Sequence, residues 1–141
     1  MLDRNRIEVM LDSGAYAPKR AHKADAGLDL RSPITIRVEP GEAAVINTGV
    51  HMAIPEGYVG MLKSRSGLNV KYGLQNEGVI DSGYTGSICV KLYNHGKNPI
   101  LIESGDKISQ IVILPIITPE IELVDELAQT ERGDNGFGST D

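Results

Sequence analysis

The chain has no tryptophan, one phenylalanine and one cysteine among its 141 residues. A single thiol, Cys89, excludes an internal disulfide. The three histidines, His22, His51 and His95, are scattered, with no spacing suited to a zinc site. Basic residues are outnumbered by acidic ones, and the net charge of −5 argues against wrapping a nucleic-acid polymer, which requires a basic stripe. No apolar run is long enough to span a bilayer, and residues 1–6 lack the hydrophobic stretch of a signal peptide. A soluble, cytoplasmic protein is therefore expected. Sustained helical periodicity is also missing.

What the chain does contain is a succession of short apolar segments separated by glycine and proline. Its length suits one domain able to bury about 70% of its unfolded surface. Strands are expected at 7–11, 25–30, 34–38, 43–46, 50–54, 58–62, 100–102, 108–114 and 121–124. Glu39–Glu42 and Pro55–Gly57 supply strong turn signals. Residues 68–72 could form one helical turn. Many short strands with turns every 8–12 residues or so predict an all-β sandwich or barrel.

The organising stretch is Gly78–Gly86, Gly-Val-Ile-Asp-Ser-Gly-Tyr-Thr-Gly. Val79 and Ile80 read as the end of a strand and Asp81-Ser-Gly83 as a tight turn. After it, Ile88, Val90 and Leu92 alternate with Cys89, Lys91 and Tyr93, as a half-buried strand requires. The expectation is a β-hairpin whose mouth holds one carboxylate, Asp81, and one phenol, Tyr84. A near-continuous apolar run at Ile108–Ile117 predicts a strand buried on both faces, the second most simply by another subunit. Lys63-Ser-Arg-Ser-Gly67 gathers an ammonium, a guanidinium and hydroxyls beside a glycine, chemistry suited to a phosphate. The lone phenylalanine, Phe137, is placed where no core can form, in a glycine-rich tail with Arg132. Such a tail could fold over a ligand, stacking the ring on a base for roughly 1–3 kcal/mol.

Five blocks in order then resemble the homotrimeric deoxyuridine triphosphatase (dUTPase) family: Ala26–Leu30, Arg65–Leu68, Gly78–Gly86, Gly105–Gln110 and Arg132–Ser139. The resemblance covers nearly the whole chain. It implies a jelly-roll-like distorted β-barrel or sandwich over residues 1–129 and a flexible arm over 130–141. It also implies a homotrimer with shared active sites, Mg²⁺ bound mainly through the substrate phosphates, and hydrolysis of dUTP to dUMP and pyrophosphate. By motif match, Asp81 orients and deprotonates the attacking water, and Tyr84 packs under the deoxyribose. The backbone of Gly78, Val79, Ile80 and Cys89 reads the uracil edge, with Gln75 or Asn76 as a further amide. Arg65, Ser66, Gly67 and Gln110 contact phosphates, Asp29 has a structural or metal-water role, and Arg132, Phe137, Gly138 and Ser139 belong to the closing arm.

Two residues depart from the family pattern. Ser64 replaces a frequent proline, which predicts a looser loop with a hydroxyl to spare, and Asn135 replaces a frequent glycine in the tail. A dCTP deaminase would share this fold, but Lys91 stands where that chemistry needs a glutamate. A trimeric partner-binding or regulatory module is the rival of another class.

Overall fold

The computed structural model describes residues 5–138. Eleven strands and one short helix make an all-β arrangement, as expected: β1 (Glu8–Leu11), β2 (Gly27–Arg31), β3 (Ile36–Val38), β4 (Ala43–Asn47), β5 (Val50–Ala53), β6 (Tyr58–Lys63), α1 (Ser66–Tyr72), β7 (Leu74–Gln75), β8 (Glu77–Asp81), β9 (Cys89–Asn94), β10 (Ile100–Ile102) and β11 (Lys107–Pro115). They form a four-stranded sheet, β2-β11-β6-β8, a three-stranded sheet, β4-β9-β7, and two antiparallel pairs, β1-β5 and β10-β3. The fold is of the jelly-roll type, with sheets that do not close into a full barrel. Leu30, Ile46, Val50, Leu74, Ile88, Val90, Leu92, Ile108 and Ile111 fill the core.

The strand β9 follows the alternation read from the sequence, burying Val90 and Leu92 and exposing Cys89, Lys91 and Tyr93. Its expected hairpin partner does not pair with it. β8 joins β6 in one sheet, whereas β9 joins β4 and β7 in the other. The turn at Asp81–Gly83 is therefore a corner between sheets, and β8 is an edge strand. Alternate residues of an edge strand aim N–H and C=O away from the sheet.

β11 also departs from the sequence reading. Its register against β2 slips between Lys107 and Ser109, an irregularity that leaves Ile108 over. A regular strand would send Ile108 and Ile111 to opposite faces; the bulge brings both fully into the core. One chain thus accounts for half of the apolar run. The other half stays outside, with Leu114 and Ile116 exposed and Ile117 87% exposed. The strand expected at 121–124 does not form, because no described strand edge lies against it. From residue 117 to 129 the backbone makes no hydrogen bond to another described residue.

Candidate active site

The loop after β6 is held from below by a buried polar network. The Ser64 hydroxyl donates to the Asn76 carbonyl (3.2 Å) and accepts from the Asn76 N–H (3.0 Å). The Asn76 amide is 1% exposed and fully engaged: its Nδ2 donates to the Ile108 carbonyl (3.2 Å), and its Oδ1 accepts from the Ser109 hydroxyl (2.7 Å). Two expectations change here. The Ser64 hydroxyl is not spare but ties the loop down, and the Asn76 side chain cannot turn to a base. Gln75 is the exposed amide of the two. Among the described residues no buried side-chain polar atom lacks a partner.

On this support, residues from three elements converge around a cleft of about 300 Å³ that includes Asp29, Arg65, Ser66 and Gln110. Asp29, on β2, forms ion pairs with Arg65 Nε at 3.1 Å and with Lys107 Nζ at 3.3 Å. One carboxylate between two cations aims the guanidinium and offsets its charge. Gln110, on β11, donates from Nε2 to the Ser64 carbonyl (3.1 Å). Its side chain crosses directly over Gly27, where an added Cβ would meet the amide oxygen at 2.0 Å, so the first and fourth blocks are locked by the lack of a side chain. A wider groove of about 590 Å³ lies on the other side of Arg65, with Arg31 and Lys107 on its wall. Arg31, Arg65 and Lys107 line the two hollows together with Asp25, Asp29 and Asp106, so Arg65 supplies a guanidinium fixed by ion pairing rather than a field of one sign.

Asp81 and Tyr84 sit elsewhere. Asp81 is exposed at the end of β8, and its carboxylate makes no hydrogen bond or ion pair to another described residue. The turn after it closes with the Tyr84 N–H on the Asp81 carbonyl (3.2 Å), while Gly83 takes φ 86°. The Tyr84 hydroxyl donates to the Ser87 carbonyl (2.9 Å), and the phenol lies so close over Gly86 that a Cβ there would meet its oxygen at 2.5 Å. Register measures the separation of the two clusters. Asp81 is opposite Val59 and Glu77 is opposite Lys63, so Arg65 lies six residues along from Val59. The stretch of β6 from Val59 to Lys63 alone spans about 13 Å at about 3.3 Å per residue, and Arg65 lies two residues past its end. Asp81 and the Arg65 cleft thus stand toward opposite ends of β6.

The arm carries the third group. Arg132 Nε donates to the Asn135 carbonyl (2.8 Å), and the Asn135 N–H returns to the Arg132 carbonyl (3.2 Å), closing a local turn. Phe137 is wholly exposed at φ 43°, a left-handed conformation unusual for its residue type. Ser139 lies outside the described residues.

One further contact has no signature in the order of residues. His51, on β5, bridges the Thr85 carbonyl and the Asp12 carboxylate. Cross-sheet partners so far apart in the chain leave no local pattern.

An all-β scaffold of packed antiparallel sheets, with an arginine- and hydroxyl-bearing cleft and a separate carboxylate–phenol turn, defines a protein of the jelly-roll class. A family model described as dUTPase matches residues 14–141, and the chain belongs to the dUTPase family. It is 42% identical over 133 residues to the deoxyuridine 5′-triphosphate nucleotidohydrolase of Gloeothece citriformis, covering 92% of each chain. It is 43% identical over 136 residues to that of Corynebacterium glutamicum, covering 94% of this chain and 91% of the relative. Among solved structures, the dUTPase of Staphylococcus bacteriophage 80alpha with dUpNHpp superposes with a TM-score of 0.91 at 39% identity, over 96% of this chain and 98% of the other. A mutant dUTPase of phage phi11 of S. aureus, described as coordinating a structural Mg(II) ion, gives 0.81 at 38% identity, over 86% and 98%.

Proposed function

We propose that the protein hydrolyses dUTP to dUMP and pyrophosphate in sites shared between the subunits of a homotrimer. The observation that carries this reading is that Asp81 and Arg65 stand toward opposite ends of β6, Asp81 opposite Val59 and Arg65 two residues beyond Lys63. Each chain offers two complementary halves of a site, and a second copy completes it. The apolar surface from Leu114 to Leu127 supports the same assembly, because a lone chain leaves it in water.

In the assembled site, the free edge of β8 (Gly78, Val79, Ile80) and the adjacent start of β9 (Cys89) present main-chain donors and acceptors. A uracil edge of acceptor, donor, acceptor complements such groups without side chains. Tyr84 packs beneath the deoxyribose and leaves no room for a 2′-hydroxyl. Arg65, Ser66, Gly67 and Gln110 receive the phosphates from the neighbouring copy. Asp81 takes a proton from a water aligned with the α-phosphorus, the water oxygen bonds to that phosphorus, and the α–β anhydride bond breaks as pyrophosphate leaves with the bridging oxygen. Positioning and charge neutralisation dominate such a step.

Among the described residues no three His, Cys, Asp or Glu cluster to hold a metal, and Asp29 is engaged by Arg65 and Lys107. This chain therefore suits a Mg²⁺ carried by the triphosphate, which would neutralise charge on the transferring group. Asp29 acts on the guanidinium rather than on a metal-bound water. Lys91 is exposed with its ammonium 5.1 Å from the Tyr93 ring centroid, which leaves no acid on β9 for deamination.

Pyrophosphate release measured across dUTP, UTP and dCTP tests the reading. A strong preference for dUTP is expected; ammonia release from dCTP, or no turnover of any of the three, would overturn it. Tyr84→Ala should raise UTP turnover relative to dUTP by about tenfold or more, since the ring's exclusion is steric. An unchanged ratio would move sugar selection elsewhere.

The arm, with Arg132, Phe137 and Gly138, is proposed to close over bound triphosphate, Phe137 covering the uracil and Arg132 reaching the distal phosphates. Truncation after Gln129 should leave an assembled protein with kcat reduced by about tenfold or more. With no tryptophan elsewhere, Phe137→Trp gives a lone indole reporter on the arm. Its emission should respond to dUpNHpp with Mg²⁺ and much less to dUMP. Equal responses would remove the arm from the mechanism.

A further inference from the structure

The segment between Asp81 and β9 is braced from the opposite sheet pair by residues 47–51. Most of the braces are neutral. The Thr48 hydroxyl donates to the Ile88 carbonyl (2.6 Å), the Ile88 N–H donates to the Val50 carbonyl (2.8 Å), and the Ser87 hydroxyl bonds the Asn47 side chain. The brace beside Tyr84 is different. His51 places Nδ1 2.7 Å from the Thr85 carbonyl oxygen and Nε2 2.9 Å from Asp12 Oδ1. A carbonyl and a carboxylate only accept, so both ring nitrogens carry hydrogen, and the ring that satisfies both partners is the imidazolium.

We infer that His51 is a positioning residue, a charged clamp between Asp12 and Thr85 that holds the Tyr84 loop where its ring meets the sugar. The inference rests on the proposed role of Tyr84 in sugar selection. Among the described residues, Asp12 is the one charged group bonded to the ring. The loop contributes the Tyr84 phenol, which is engaged with Ser87, and begins at the Asp81 carboxylate, which bonds no described residue. On β1 the residue opposite His51 is Met10, and Glu8 lies further along, opposite Ala53.

The hydrogen bond to Thr85 raises the His51 pKa above its ordinary 6.5, burial opposes the rise, and Asp12 adds to it. The clamp is complete below pH 6.5. It is lost as pH rises through the raised value, because a neutral imidazole can donate to only one of its two partners. The remaining braces do not titrate in this range, so the expected change is local to the Thr85 end of the loop and leaves the chain folded.

Three measurements on the full-length protein test this. The His51 ring protons, followed by NMR against pH, should titrate above pH 6.5 in the unaltered protein and lower in Asp12→Asn. The dUTP-to-UTP kcat/KM ratio should fall across the His51 titration, and in Asp12→Asn that fall should move to lower pH with it. His51→Ala should lower the ratio at pH 6 by about tenfold, the loss of one charge-assisted bond. A His51 that titrates at or below 6.5, or a ratio flat across its titration, overturns the inference. If Tyr84→Ala shifts the ratio and His51→Ala does not, the clamp is refuted and the sugar reading stands. If neither shifts it, the sugar reading has failed and the clamp with it. Should His51→Ala not fold, the wild-type and Asp12→Asn titrations decide.

Discussion

Asp81→Asn is expected to bind dUTP as the unaltered protein does and to hydrolyse it about 10²–10⁴-fold more slowly, the usual contribution of a positioned general base. The substitution is clean for a structural reason. The Asp81 carboxylate is exposed and engages no other described residue, so the fold loses no ion pair. Asn is also a favoured turn residue, and the backbone bond from Tyr84 to position 81 survives. The side chain keeps its size and one acceptor while losing the charge and the basicity. Steady-state pyrophosphate release, together with titration of dUpNHpp, separates kcat from binding. A variant turning over within a few-fold of wild type would place the base elsewhere.

The second large effect is a gain. Asp81→Asn and Arg65→Ala are each expected to be nearly inactive, but co-assembly of equal amounts should restore activity in about a quarter of the sites. That fraction follows from shared sites: a working one takes an intact Asp81 from one copy and an intact Arg65 from another. Removing Arg65 leaves Asp29 still paired with Lys107, so the half-site loses a phosphate contact without stranding a buried charge. Co-refolded mixtures, compared with the two variants assembled separately, give the measurement. Failure of the mixture to exceed its components would mean that one chain holds a whole site, against the separation along β6.

Much of this was legible from residues alone, and the failures share a cause. The alternation from Ile88 to Tyr93 survived into β9 because a half-buried strand obeys a local rule. Pairing is not local. The Gly78–Gly86 turn was recognisable, yet nothing in it says that its two strands part into different sheets. The apolar run at 108–117 mixed two origins, a bulge that buries Ile108 beside Ile111 and a tail of side chains that the chain leaves uncovered. Ile111 consequently belongs to the core, and a charge there would unfold the chain rather than probe an interface. The site followed the same division. Asp29, Arg65, Ser66 and Gln110, from separate blocks, line one hollow. Ser64, Asn76 and Ser109 each stood out in the sequence or lay within a recognisable stretch, but the bonds among them were not legible, because a buried network is visible only once strands from distant parts of the chain are adjacent.

Beyond residue 116 the chain carries Ile117, Ile121, Leu123 and Leu127 at 85–93% exposure, without a strand or a core to receive them. If the other subunits cover these side chains, folding and association become one equilibrium for this protein. Its midpoint of thermal unfolding would then rise with protein concentration, by mass action rather than through any change in the contacts of a single chain. Dilution would carry a hazard of its own. A chain released from its partners would expose adhesive, strand-forming sequence, and activity lost at low concentration would return incompletely on reconcentration.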